Sequence, residues 1–409
     1  MERRAIAPES PLESAAIGTA RNDLISGCNQ VLRATEPPAP DDGIRIALSF
    51  SGGGFRATLA ALGVLRFVAD ARMLERVRYV SSVSGGSLAN GLLAHHYERL
   101  QDDGFTPGAV DDIVINPFVK KISDRSLSRT LLRNIWRTIG SKTRTHLLAD
   151  TFDRWFFGGR KLEELSSQCR FIINAASVTT GVRFAFEREI VGDWVMGRTH
   201  TKGTDLRLAT AAAASAAVPG AFAPLEIKGV DFPCANGRTA RLLDGGAYDN
   251  SGIEALDNIG DALIVNLNAG GLFRTGRYRG IPLVRDLQRA NSLLYRQSTA
   301  LRFRDSVARF RAFEQARAEG RSPPEEARMG VLFGLASSVA DAPAEWTEGR
   351  DEDLGSVETI ASYKTSFDEF PRDVCAKLIY RGWWLSGATL SAYHRAELPA
   401  ELPQWRPLP

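Results

Sequence analysis

The sequence predicts an α/β protein with a mainly parallel central sheet, helical insertions and a helical C-terminal portion. Three observations carry that expectation. Two strand–turn–helix units follow one another within residues 44–86. The chain has 409 residues, 44% hydrophobic and 24% charged with a net charge of +3, which is ample for a large core. No internal repeat and no long low-complexity linker divides it, so one domain is expected over 44–409. Residues 1–43 form an N-terminal segment that ends in the polar, proline-rich connector Pro37-Pro38-Ala39-Pro40-Asp41-Asp42.

The first strand, Ile44 to Phe50, meets Ser51-Gly52-Gly53-Gly54, a turn almost bare of side chains and therefore rich in accessible N–H donors. Phe55, Leu59, Leu62 and Leu65 then recur at three- and four-residue steps, so a helix starts at the glycines and points its N-terminus at them. A second strand, Val77 to Ser82, turns at Val83-Ser84-Gly85-Gly86 into a helix carrying Leu88, Leu92 and Tyr97. Ser84 stands at the tip of that turn.

One turn made of donors beside another that presents a hydroxyl is the equipment of acyl transfer. Ser82-Val83-Ser84-Gly85-Gly86 matches the nucleophile elbow G-x-S-x-G except at Ser82, where a small residue replaces the first glycine. These residues resemble the patatin-like phospholipases, including the cytosolic phospholipase A branch. That family pairs its serine with an aspartate in a D-G-G or D-G-A motif, and Asp244-Gly245-Gly246 lies 160 residues downstream of Ser84. The small-residue stretch Ala211 to Phe222 and the run Phe171 to Ala175 are similar to family segments. The resemblance covers roughly residues 44–268, with a weaker echo over 363–393.

The resemblance implies a three-layer α/β/α fold and a serine acyl hydrolase acting on phospholipids, lysophospholipids or other fatty-acyl esters without a cofactor or metal. Ser84 would attack, Asp244 would take its proton, and Gly52, Gly53 and Gly54 would supply the oxyanion hole. Arg56 would add charge to that hole or bind the substrate phosphate; its alternative is a surface ion pair. A Ser84, Asp244, His394 triad satisfies the same order of residues and stays open as a second hydrolase mechanism. Gly52 to Ala57 also fits a dinucleotide-binding glycine pattern, but the second strand ends in serine where a ribose-binding acid belongs. A catalytically silent interaction module is the third class. Nothing in the sequence points to nucleic acid, and oligomeric state is not encoded legibly.

Basic residues crowd residues 101–165, an expected helical insertion or cap. Arg125, Arg129, Arg133 and Arg137 fall at four-residue steps, with Leu132, Ile135, Trp136 and Ile139 on another face, as in a basic amphipathic helix. Its readings are a lid, a contact with anionic membrane, or a solvated face over the core. The C-terminal portion, about 271–409, reads as mainly helical, closing with an amphipathic helix from Arg372 to His394. No apolar leader opens the chain, and the longest uncharged window, Leu208 to Leu225, is broken by Pro219-Gly220, so no transmembrane helix is expected. The four cysteines, Cys28, Cys169, Cys234 and Cys375, fit neither metal spacing nor a disulfide framework, which implies reduced thiols in a cytoplasmic protein, peripheral at most on the inner membrane face.

Overall fold

A computed structural model describes residues 27–30, 32–138, 142–270, 282–350 and 357–408. Its centre is a sheet whose strands run in the order β10-β9-β1-β2-β3-β4-β5-β6. The parallel part is β1 (Arg45–Phe50), β2 (Val77–Val83), β3 (Arg170–Ser177), β9 (Ala262–Asn268) and β10 (Gly330–Gly334). These strands are apolar runs without strict alternation because helices cover both of their faces. Antiparallel β4 (Arg183–Phe186), β5 (Ile190–Asp193) and β6 (Gly197–His200) extend one side.

The larger core packs α1 (Gly54–Asp70) and α2 (Gly85–Asp102) against the sheet, with α5 (Arg372–Tyr393) behind α1. A Cβ at Gly63 would lie 2.0 Å from Ile379 O, and one at Gly382 would lie 2.0 Å from Ala60 O. Glycine at both places lets two helix backbones touch, so α5 is buried over most of its length rather than amphipathic at the surface. The smaller core, on the other face, is closed by the turn Ile253–Leu256 and by Phe310 of α4 (Pro282–Ala318). Helices on both faces of a mostly parallel sheet form the expected three layers.

The strand that carries the aspartate is the one that positions the site. β8 (Arg241–Asp244) runs antiparallel to β3 and pairs Asp244 with Ala175, while β2 pairs Val83 with Asn174 on the same strand. Asn174 and Ala175 are adjacent, so β2 and β8 approach end to end along one edge of β3. Ser84 and Asp244, 160 residues apart in sequence, are delivered to one point by this register.

Two expectations are corrected. Cys28 and Cys234 form a disulfide across 206 residues, so only Cys169 and Cys375 are free, and both are buried. Spacing could not show this pairing, because it joins the N-terminal segment to a loop after β7 (Leu225–Glu226). The same segment is held further by Glu36, which accepts from Tyr79 Oη at 2.6 Å and from Arg170 at 2.9 Å. The arginine ladder, too, is not one helix. Arg125 is extended, Ser126 caps a short helix over Leu127–Arg133, and after Asn134 the chain continues as a 3-10 turn over Ile135–Thr138. Leu132 (65% exposed), Ile135 (39%) and Trp136 (66%) face outward and not into the core. Ile139 and the side chain of Arg137 lie outside the described residues. No helix among the described residues is long and apolar enough to cross a membrane.

Candidate active site

Ser84 adopts φ 50° and ψ −118°, a conformation that L-residues with a Cβ avoid. The elbow is held from several sides. Ser84 N–H donates to Ser215 Oγ at 2.9 Å, and Ser215 Oγ donates to Asn174 O at 2.6 Å. Ser215 ends α3 (Leu208–Ser215), a run of alanines small enough to lie against the elbow helix. Asn174 Nδ2 donates to Ser82 O at 3.0 Å and Asn90 Nδ2 to Ser82 Oγ at 2.8 Å. Ser82 therefore occupies the position of the missing glycine with its hydroxyl satisfied.

Asp244 is buried beside the Ser84 side chain, and its carboxylate accepts from Gly246 N–H at 2.8 Å. Burial pushes its pKa up to about 6, outweighing the neighbouring Ser84 side chain and the Gly246 N–H, which favour the charged form. Gly245 N–H donates to Ser215 O at 3.1 Å, which ties the aspartate turn to the same serine that braces the elbow.

The glycine turn lies directly against this pair. A Cβ at Gly52 would stand 3.2 Å from Ser84 Cβ, and one at Gly85 would stand 2.0 Å from Gly54 O. Gly53 and Gly54 have φ of 150° and 61°. Gly52 N–H is not free: it donates to Asn250 O at 3.1 Å. The N–H groups of Gly53 and Gly54 have no acceptor among the described residues, so the set of available donors narrows from three glycines to two.

Arg56 is not in the hole. Its guanidinium is 1% exposed and donates to Ala361 O (3.1 Å), Tyr363 O (2.8 Å) and Ala269 O (2.8 Å). Burial lowers its pKa to about 10, yet it remains charged at neutral pH. Three of its five N–H groups are thus taken by carbonyls, and Nε is buried without a partner among the described residues. It pins the segments over the glycine turn, where Ser366 O accepts from Phe55 N–H at 2.9 Å and would lie 2.5 Å from a Cβ at Gly54. That contact also denies a dinucleotide the close backbone approach its glycine motif exists to permit.

His394 is elsewhere. Its ring faces Gly330 O at 3.3 Å, and Gly330 opens β10 at the end of the sheet opposite Ser84. From β10 to β2 are three strand spacings, roughly 14 Å before the offset along the strands is added. The triad is not assembled. Sequence reasoning did not assign Ser215, Asn174 and Asn250 any part in the site, because a buried serine or asparagine far along the chain carries no local signal.

A strained serine on a strand–helix turn thus stands beside a buried aspartate and a glycine turn with two N–H groups unpaired among the described residues. The model of the patatin-like phospholipase family matches residues 48–257, and the chain belongs to that family. No curated protein matches the sequence. Among solved structures, human GIVD cytosolic phospholipase A2 superposes with a TM-score of 0.51 at 14% identity, covering 87% of this chain and 60% of the other. Its complex with methyl gamma-linolenyl fluorophosphonate gives 0.48 at 16% identity, over 87% and 59%. VipD from Legionella pneumophila gives 0.37 at 13% identity, over 88% and 71%. The chain thus spans about three-fifths of the length of the human enzyme, whose likeness bears on fold alone.

Proposed function

We propose that this chain hydrolyses fatty-acyl esters of phospholipids or lysophospholipids, with Ser84 as nucleophile, Asp244 as its base, and the N–H groups of Gly53 and Gly54 as oxyanion hole. The observation that supports the reading is a strained serine set beside a buried carboxylate and beside two backbone N–H groups that find no acceptor among the described residues. Ser84 Oγ attacks the ester carbonyl while its proton passes to Asp244. The carbonyl oxygen becomes an oxyanion facing Gly53 and Gly54. As the tetrahedral intermediate collapses, the C–O bond breaks and Asp244 returns the proton to the departing alcohol. Water then repeats the sequence on the acyl-serine, releasing the fatty acid and restoring Ser84.

A carboxylate in water, at a pKa near 3.9, is a weak base for a serine. The rise to about 6 brings Asp244 closer to the working pH while leaving it mostly ionised at neutrality. Contact with anionic lipid through Leu132, Ile135 and Trp136, beside Arg129 and Arg133, belongs to the same reading.

The test is product analysis by mass spectrometry on mixed phospholipid vesicles. The native chain should release fatty acid and a lysolipid, and Ser84→Ala should release neither. Unchanged release from Ser84→Ala, or activity lost in His394→Ala and kept in Asp244→Ala, would overturn the assignment.

A further inference from the structure

Gly52 and Gly246 belong to different motifs and leave room for the same atom. A Cβ at Gly52 would stand 2.4 Å from Asn250 Oδ1, and one at Gly246 would stand 2.6 Å from it. Neither glycine has a positive φ, so a side chain there would lack space rather than an allowed conformation. The reacting groups border the same two points. Ser84 Cβ lies 3.2 Å from the first, and Asp244 Oδ1 lies 3.0 Å from the second. The carboxamide oxygen of Asn250 therefore sits beside both the nucleophile and its base.

The backbone at Asn250 is fixed on each side. Asn250 O accepts from Gly52 N–H at 3.1 Å, the buried Asp249 accepts from Ser251 N–H at 2.9 Å and Glu254 N–H at 3.1 Å, and Ser251 O accepts from Ser49 Oγ at 2.8 Å. The Asn250 side chain is half-buried and makes no hydrogen bond among the described residues. Its two ends face different chemistry. A Cβ at Gly270 would lie 3.2 Å from Asn250 Nδ2 and 3.0 Å from Asn268 Oδ1, so the amino end is turned toward an acceptor and the oxygen end toward Ser84 and Asp244.

An amide oxygen accepts and cannot donate, so it has nothing to offer an oxyanion or an ester carbonyl, which are acceptors too. Set beside a carboxylate, it suits a molecule with two protons to give. Hydrolysis of an acyl-serine requires such a molecule, a water whose oxygen faces the acyl carbon.

We propose that Asn250 Oδ1 and Asp244 together hold the water that hydrolyses the acyl-Ser84 intermediate, an inference that rests on the assignment of Ser84 and Asp244 above. The water donates one O–H to Asn250 Oδ1 and the other to Asp244. Its oxygen bonds to the acyl carbon as the second proton passes to Asp244; the C–Oγ bond then breaks, and Asp244 returns that proton to Ser84 Oγ. The proton held by Asn250 leaves on the fatty acid. Acylation, which uses no water, does not need Asn250.

The experiment separates the two half-reactions in the full chain with para-nitrophenyl butyrate. When deacylation is slow, kcat and KM fall together and kcat/KM still reports acylation. Asn250→Ala should lower kcat about tenfold or more while kcat/KM stays within about threefold of native. Stopped-flow should show a burst of nitrophenol, and intact-protein mass spectrometry should show the butyryl group accumulating on Ser84. Asn250→Asp keeps an oxygen acceptor in place and should recover kcat to within about threefold, with the pH midpoint of kcat moved up by about one unit, because a second carboxylate opposes ionisation of Asp244. A fall in kcat/KM as deep as that in kcat, without a burst, would overturn the proposal, as would a native midpoint in Asn250→Asp. Labelling of Ser84 by a short-chain fluorophosphonate, which tests acylation alone, should run at the native rate in Asn250→Ala. Labelling lost in that variant only would make Asn250 a structural residue and overturn its hold on water. A native chain that never labels would sink the Ser84 assignment itself, and the inference with it.

Discussion

The two glycine turns look alike in sequence and differ in what they need from glycine. In the first, Gly53 and Gly54 take φ of 150° and 61°, and their Cβ positions would collide with Ala269 O at 2.4 Å and Ser366 O at 2.5 Å. Conformation and space both exclude a side chain there. In the second, the positive φ falls on Ser84, while Gly85 and Gly86 are small because Gly54 O and Phe50 O press against them. The donor turn is relaxed because glycine bears its geometry at no steric cost. The nucleophile turn is strained because the hydroxyl must sit where glycine would be at ease, and the bonds from Ser215, Asn174 and Asn90 hold it there.

The largest effect expected from this contrast is at the reacting groups. Ser84→Ala and Asp244→Ala should each lower kcat/KM by about 10⁴-fold or more, and the double variant should be no worse, since residues acting as one unit are not additive. Turnover assays on a soluble ester measure this, with circular dichroism to confirm the fold. Additive losses would mean that the two do not act together.

Gly53→Val should come next, with a loss of about 10²–10³-fold, the usual consequence of removing an oxyanion donor. Its fluorophosphonate labelling should fall in parallel although Ser84 is intact. Native labelling in this variant would remove Gly53 from the hole and collapse the distinction between the turns.

The base should impose a pH profile. If Asp244 is the proposed base, with its folded pKa raised to about 6, kcat/KM should rise with pH as it ionises and level off above that value. Stability should run the other way. A carboxyl whose pKa is raised on folding destabilises the native state once ionised, a penalty absent below pH 4 and complete above pH 6, on the order of 3 kcal/mol. Asp244→Asn should therefore raise Tm at pH 8 more than at pH 4, as thermal melts at the two values would reveal. A pH-independent difference would contradict the burial.

The smallest effect on chemistry belongs to Arg56. Arg56→Met strands carbonyls of Ala269, Ala361 and Tyr363 and should cost on the order of 3 kcal/mol of stability. It should lower turnover only about tenfold, by loosening the backbone against Gly53. Loss as deep as Ser84→Ala, with the melting curve unchanged, would return Arg56 to the reaction.

What was legible in the sequence was whatever local pattern controls. Both strand–turn–helix units follow from apolar periodicity and glycine, and their tips are where the spacing puts them. The four-residue steps of the arginine ladder run across Ser126 and Asn134, which cap and end a short helix between them, so the spacing overstates the helix. Arg56 reads as an available cation because the three carbonyls that hold it buried come from residues more than 200 positions away. The Cys28–Cys234 bridge and the bracing by Ser215 are likewise tertiary juxtapositions without a periodic trace.

The end-to-end meeting of β2 and β8 on β3 also orders events during synthesis. A ribosome moving at roughly 5–20 residues per second emits Ser84 about eight to thirty-two seconds before Asp244. Throughout that interval the nascent chain holds a serine with no partner to take its proton. The strand that bears the partner can pair only after β3 is in place, so Ser84 and Asp244 meet only in chains that already extend past Asp244.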